Sequence, residues 1–271
     1  MSSRFSLHII GPETEGVAEI EIEDEIIEDD KEDKEWRVPM STSYINKSKQ
    51  DVDYMDYKAY ALLSVFSKRK SEEVCDLLGL DYSEIEEHRY IYQDYINENI
   101  EMFEDLSNWK KRNIQKQINN LVRSGNKVIS ANYTESGNLY YKIIPYISKE
   151  GGLSKSGTYV TIESDVLKYL IHTSNSNVIK TYCVFKWLLW NDKKKSYTEK
   201  RIDRQWICEQ IGLSSSSKNN LEVVGNILKS LIEKKLIKRR KESITEFGVN
   251  KTVYFYSICS YNEWKEHYNK L

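Results

Sequence analysis

The sequence is poor in the residues that break or cross-link a chain. It has 3 Pro, 11 Gly and 4 Cys among 271 residues. So few Pro and Gly exclude a collagen-like or low-complexity chain. Cys75, Cys183, Cys208 and Cys259 are scattered and form no C-x-x-C pair. That argues against a disulfide scaffold or a zinc ribbon and for reduced, buried thiols in a cytoplasmic protein. No apolar run approaches the ~20 residues of a membrane span, and no signal peptide is apparent, so no membrane partner is expected. His8, His88, His172 and His267 lie far apart, with no His-x-His or His-Glu-x-x-His company. This removes the common metal-hydrolase motifs and the nicking enzymes that pair His with Tyr. No Ser occupies a G-x-S-x-G elbow. Gly151 to Gly157 lacks the G-K-[ST] ending of a phosphate loop. The expectation is a protein that is not an enzyme, with no metal site and no cofactor.

Charge is present in quantity but unevenly spread. Residues 1–38 hold 13 acidic and 4 basic residues; residues 39–148 hold 16 and 14; residues 149–271 hold 13 and 22. These divisions also suit the hydropathy pattern. They suggest an acidic N-terminal tail (1–38), a first domain (39–148) with an insertion at about 81–106, and a second domain (149–271).

The most informative stretch is Lys218 to Ser260. Leu221, Val224, Leu228, Leu231 and Ile232 form one apolar stripe of a helix, which the run Ser214 to Ser217 can cap. Leu236 and Ile237 open a strand, followed at once by Lys238, Arg239, Arg240 and Lys241. Phe247 to Asn250 reads as a turn, and Thr252 to Ile258 as the returning strand. Upstream, Asp203 to Leu213 reads as a helix burying Ile207 and Ile211, with Gly212 as the turn residue. Asn177 to Trp190 is a further apolar helix. Helix, turn, helix and basic hairpin in this order outline a winged helix-turn-helix, whose helix enters the DNA major groove while the hairpin follows the backbone.

The first half repeats the order. Residues 53–66 read as a helix with Ala59, Leu62, Leu63 and Phe66 inward, and Glu72 to Leu80 as a second helix. A third starts at Ser107 with Ile114, Ile118, Leu121 and Val122 as its stripe, stopped by Gly125. Lys127 to Tyr133 and Leu139 to Pro145 read as strands about a turn at Thr134 to Asn138. Tyr57-Lys58-Ala59-Tyr60 lies over Ile179-Lys180-Thr181-Tyr182, and Thr134-Glu135-x-Gly137 over Thr245-Glu246-x-Gly248. The fold class expected is α+β: two tandem winged helix-turn-helix domains with an acidic N-terminal segment. Thr158 to Ile162 and Ser164 to Thr173 add a strand and a Ser164-capped helix, and residues 148–157 a linker. Ser196 to Thr198 adds a short strand expected beside the wing.

The outward face of the first repeat's third helix carries Arg112, Lys116, Asn119, Asn120 and Arg123. Arg reads guanine and Asn adenine bidentately, and Lys neutralises phosphate. In the second repeat the matching face carries Asn219, Val223, Asn226 and Ser230, with Lys218 and Lys229 at its edges. The positive charge there sits in the wing at Lys238, Arg239, Arg240, Lys241 and Lys251. Solvated surface is the plain alternative for each helix taken singly. The insertion repeats Ile85, Tyr92, Ile96, Asn99 and Phe103 at near-heptad spacing. It reads as an acidic helix that either packs on its own domain or forms a homodimer contact. Residues 17–22 alternate like an edge strand, and the acid run after them resembles a solvated tail able to compete with DNA for a basic surface.

With these elements in order, residues 40–260 resemble the tandem winged-helix replication initiators of plasmids and phages from low-GC Gram-positive bacteria. The segment from Tyr159 to Phe185 resembles the start of a winged-helix domain in those proteins. The resemblance implies binding of double-stranded DNA at origin repeats, a dimer–monomer change and contacts with host replication proteins. The acidic first 38 residues and the acidic insertion have no place in that pattern. A winged-helix transcriptional regulator and a winged-helix protein-interaction adaptor are the alternative functions that the same elements allow.

Overall fold

In the computed structural model, residues 37–42, 56–69, 89–123, 129–134, 136–143, 159–191, 193–246 and 248–270 are described. The expected strand at 17–22, the helix at 72–80, the stop at Gly125, the linker at 148–157 and Cys75 lie outside them.

Two helices with little polar surface form the centre. α1, Tyr57–Phe66, buries every residue from Tyr57 to Val65. A helix apolar on all sides belongs inside a core. Its start is set by Asp56, whose carboxylate accepts the N–H groups of Lys58 and Ala59 at 2.8 and 3.2 Å. After it come the short β2, Lys68–Arg69; β3, Arg89–Tyr92; α2, Gln93–Glu98; and α3, Ile100–Ser107. Next follow α4, Lys111–Arg123, then β4, Ile129–Tyr133, and β5, Leu139–Ile143. These strands make one sheet in the order β2-β3-β5-β4. The β4–β5 connection includes Gly137 at φ 85°, a left-handed position that glycine takes without strain.

The second half opens with β6, Tyr159–Glu163, and α5, Ser164–Thr173. Its central helix is α6, Ser176–Leu189, buried from Val178 to Lys186. Then come β7, Trp190–Asn191; β8, Ser196–Tyr197; and β9, Lys200–Arg201. α7, Arg204–Gln210, and α8, Lys218–Glu233, lead into the long hairpin of β10, Ile237–Glu246, and β11, Val249–Ile258. The hairpin joins β9 in the order β10-β11-β9. α9, Tyr261–Tyr268, closes the described chain.

The halves share one core. β1, Arg37–Ser41, pairs antiparallel with β6, Val38 opposite Ile162 and Met40 opposite Val160. All four of those side chains are buried. The Tyr57 N–H donates to Ser176 Oγ at 2.7 Å, joining the first turns of α1 and α6. One apolar cluster runs from Val38 through Leu62, Ile114, Leu170, Phe185 and Leu228 to Trp264. Residues from Glu35 onward form a single compact unit.

The described chain is a mixed α+β structure of small antiparallel sheets, as expected. Several local expectations are corrected. β1 begins at Arg37, two residues inside the expected acidic tail. The insertion is not one helix: Arg89–Tyr92 is an inner strand of the four-stranded sheet, and two short helices meet at Asn99. Tyr and Ile at alternate positions favour a strand there, which a heptad count overlooks. Ile91, Ile96 and Phe103 are buried in the core that the two halves share. α4 starts at Lys111, because Ser107 ends α3 and Asn108 takes a left-handed φ of 57°. Ser164 is the first residue of α5 rather than its cap; Glu163 holds the cap position, with no side-chain hydrogen bond. Ser196–Tyr197 pairs with Trp190–Asn191, and it is Lys200–Arg201 that flanks the hairpin. The hairpin turn is shorter than expected: Val249 and Asn250 belong to β11, and Gly248 supplies the positive φ of 76°.

Candidate nucleic-acid interface

α7 and α8 are held by their connection. Gly212 takes φ 78°, and the Leu213 N–H reaches back to the Cys208 carbonyl at 2.8 Å, ending α7 with a left-handed turn. Ser217 caps α8 by accepting the Asn220 N–H. Val224, Ile227, Leu228 and Leu231 then face the core. That geometry leaves Lys218, Asn219, Val223, Asn226 and Lys229 exposed and Ser230 half-buried. Gly225 lies against the end of the Arg204 side chain of α7. A Cβ at that position would sit 3.3 Å from the Arg204 guanidinium.

α4 has the same construction. Ile114, Ile118 and Leu121 are buried, and Val122 packs beside them. Arg112, Lys116, Asn119, Asn120 and Arg123 are all exposed.

The β10–β11 hairpin also presents the cations expected of a wing to solvent, but most of them already have carboxylate partners. Lys238 Nζ meets Glu263 Oε1 at 2.5 Å. Arg240 holds Glu199 at 2.8 Å and Glu242 at 2.6 Å while its guanidinium lies 4.5 Å from the Phe255 ring centroid. Lys251 pairs with Glu246 at 3.7 Å, and Arg201 holds the same Glu246 at 2.6 Å. Lys229 pairs with Glu233 along α8. Hydrogen bonds from these cations hold the Glu199, Glu246 and Glu263 carboxyls below their ordinary range. Arg239 stacks over Tyr254, 5.1 Å from its centroid, and Lys241 is exposed. β10 therefore carries a charge lattice rather than a row of free cations. Its own carboxylates, Glu242 and Glu246, were legible in the sequence, but Glu199 before β9 and Glu263 of α9 join its cations only through the fold, as Arg201 of β9 and Lys251 of β11 join Glu246.

A groove of about 950 Å³ lies beside the exposed face of α8. Val223, Asn226 and Ser230 form one wall. The first turns of α1 and α6, Trp109 and the α7–α8 turn form the others. Of the residues expected to face DNA, Val223, Asn226 and Ser230 line it, and none of the expected cations does. Lys58 and Lys180, which the repeat alignment superposes, both line it and are both buried. Lys180 Nζ donates to the Ile211 carbonyl at 2.9 Å. Lys58 Nζ lies 5.2 Å from the Trp109 ring centroid. Sequence reasoning missed this site because Lys58 and Lys180 stand inside apolar helices, where a lysine reads as a residue of the solvent face.

Comparison with protein-family models and with curated proteins finds no match for this chain. Among the described residues no cluster of His, Cys, Asp and Glu could hold a metal ion, and no helix is long and apolar enough to cross a membrane. Cys183, Cys208 and Cys259 are free and buried; burial pushes the Cys183 thiol up to about 12, far from reactive at neutral pH.

Proposed function

We propose that this chain is a sequence-specific double-stranded DNA-binding protein built from two winged-helix repeats, acting in the cytoplasm as a replication initiator of a plasmid or phage. The observation that carries the DNA reading is the order of the second half. A strand between the central helix and α7 (β9) pairs with the returning strand of the hairpin that follows α8, giving β10-β11-β9 beside α6, α7 and α8. That arrangement leaves the polar face of α8 exposed, as a recognition helix requires. The first half supports it with α1, β2, α4, β4 and β5 in the corresponding order, while the helix expected at 72–80 in the place of α7 lies outside the described residues. There β3 is inserted between β2 and β5. The initiator role rests on the family resemblance; a transcriptional regulator would use the same surfaces.

The paired wing cations fit phosphate binding of a particular kind. Exposed ion pairs are weak and screened by salt, so a phosphate can take the place of a carboxylate. The same pairing also favours the adaptor reading, in which the wing is a self-neutralised surface for protein contact. Selection of bound duplexes from a random pool, with affinity measured over a salt titration, separates them. Enrichment of one motif and a steep salt slope support DNA binding; a repeat of that motif beside the chain's own gene supports initiation. Binding without salt dependence, or no binding, removes the DNA reading and leaves the adaptor.

A further inference from the structure

We infer that the groove between the first turns of α1 and α6 and the exposed face of α8 is a binding site for a phosphate group. Two helix N-termini converge there. The Tyr57 N–H at the head of α1 donates to Ser176 Oγ at the head of α6. In α6, Asn175 takes the Val178 N–H through its side chain at 3.1 Å and the Ile179 N–H through its carbonyl at 3.3 Å. The N–H groups of Ser176 and Asn177 have no hydrogen-bond partner among the described residues. Unpaired N–H groups at a helix start, aligned with the helix dipole, favour an anion.

The second observation is Lys58. Its side chain is 8 % exposed, it lines this groove, and its ammonium has neither a hydrogen bond nor an ion pair among the described residues. The ammonium lies over the Trp109 ring, 5.2 Å from its centroid. Asp56, the one carboxylate on the groove wall, is committed to the N–H groups of Lys58 and Ala59. An ammonium at the groove end of a largely buried stem, with no ion pair to offset its charge, attracts an anion that enters the groove. Burial accordingly depresses the Lys58 pKa, with the Asp56 charge opposing it only in part. A phosphate seated on the Ser176 and Asn177 N–H groups would supply the missing charge. Lys180, buried on the same wall, adds a second positive charge. The polar side chains of Asn226 and Ser230 close the α8 side.

Phosphate of this kind comes either from a free phosphorylated compound or from a DNA backbone, and the chemistry recognised is the same. The test uses the full chain. Binding of inorganic phosphate is measured by calorimetry against chloride at matched ionic strength. The slope of log affinity against log salt is measured on duplex DNA. Both are repeated for Lys58→Met and Asn177→Asp. Met keeps the buried stem without the charge. Asp suits the first turn of a helix, so α6 stays intact while its N-terminus becomes repulsive to a phosphate. Phosphate binding lost in both variants, with duplex binding unchanged, supports the site and assigns a free ligand. A duplex salt slope lower by about 0.9 in both variants supports the site and assigns one backbone phosphate. If neither measurement changes in either folded variant, the site does not exist. A Lys58→Met chain that melts well below the parent while still binding phosphate overturns it too, since Lys58 would then be a structural cation. Should Lys58→Met not fold, Asn177→Asp decides alone. A parent chain that ignores duplex DNA refutes the function proposed above and leaves the phosphate titration to judge the groove.

Discussion

Replacing Glu163 by Gln strands a charge in the core. Glu163 ends β6, and Lys186 lies three turns into α6. The Lys186 side chain is 4 % exposed and that of Glu163 is 12 % exposed, with Nζ and Oε2 3.2 Å apart. Lys186 also lies over the faces of Tyr197 and Tyr182, at 5.1 and 5.9 Å from their centroids. Burial by itself works against the ammonium, but Tyr182 and Glu163 outweigh it and hold the Lys186 pKa above its ordinary value. Removing one partner of a buried pair costs ~3–5 kcal/mol. The Gln amide oxygen still accepts a hydrogen bond, so Glu163→Gln should cost about 2–3 kcal/mol by that scale. This is a large share of the ~5–15 kcal/mol a domain usually has. Lys186→Met should cost less, about 1–2 kcal/mol, because Glu163 keeps water and Arg37 at 3.8 Å. The double variant should recover to within about 1 kcal/mol of the parent, since no lone charge remains.

Urea unfolding of the four chains measures these differences, and pH supplies a check of sign. In the parent, a raised Lys186 pKa contributes stability fully present below the unfolded lysine value of 10.5 and lost progressively as pH rises from there through the still higher folded value. In Glu163→Gln the folded pKa should drop below the unfolded one. The unfolded state then binds more protons, so the deficit of the variant should shrink as pH rises toward 10. A deficit under about 0.5 kcal/mol, or one constant from pH 6 to 10, would refute the reasoning.

Gly225→Ala should stabilise α8 by about 0.5–1 kcal/mol, because the far end of the exposed Arg204 side chain can give way; a lower urea midpoint would show that it cannot. Ser260→Ala removes one half of the capping box that Ser260 and Glu263 form at the head of α9. The expected cost is about 1 kcal/mol, with faster amide exchange around the buried Trp264, and unchanged exchange there would assign the cap no role. Arg239→Ala with Arg240→Ala should lower the salt slope of duplex binding by roughly one to two, each neutralised phosphate being worth about 0.9. Glu199→Gln with Glu242→Gln, which frees Arg240, should tighten binding to all duplexes alike; weaker binding would mean that these carboxylates position the guanidinium for DNA.

The parts of this fold that were legible in the sequence share one property: their signal is local. The stripes Ile114–Ile118–Leu121 and Val224–Leu228–Leu231 are buried as a 3.6-residue period requires. Gly137, Gly212 and Gly248 all adopt the positive φ that a turn glycine suggests. The capping box before α9 was equally local, in Ser260-x-x-Glu263, and was overlooked for want of a long apolar stripe behind it. What stayed hidden depends on partners far along the chain. Arg89–Tyr92 is a strand because β5 and β2 lie on either side of it. β1 exists because β6, more than a hundred residues later, completes it. The same holds for charge. Lys238, Arg240 and Lys251 read as a phosphate-binding row until Glu263, Glu199 and Glu246 arrive from neighbouring elements. Lys58 shows the reverse case. It reads as a lysine at the solvent edge of an apolar helix, but the fold buries most of it and gives its ammonium no ion pair among the described residues. Tertiary structure thus offsets positive charge on the β10–β11 hairpin and leaves it without an ion pair at Lys58 in the groove, and the two sets of salt slopes test each surface for a part in the proposed duplex binding.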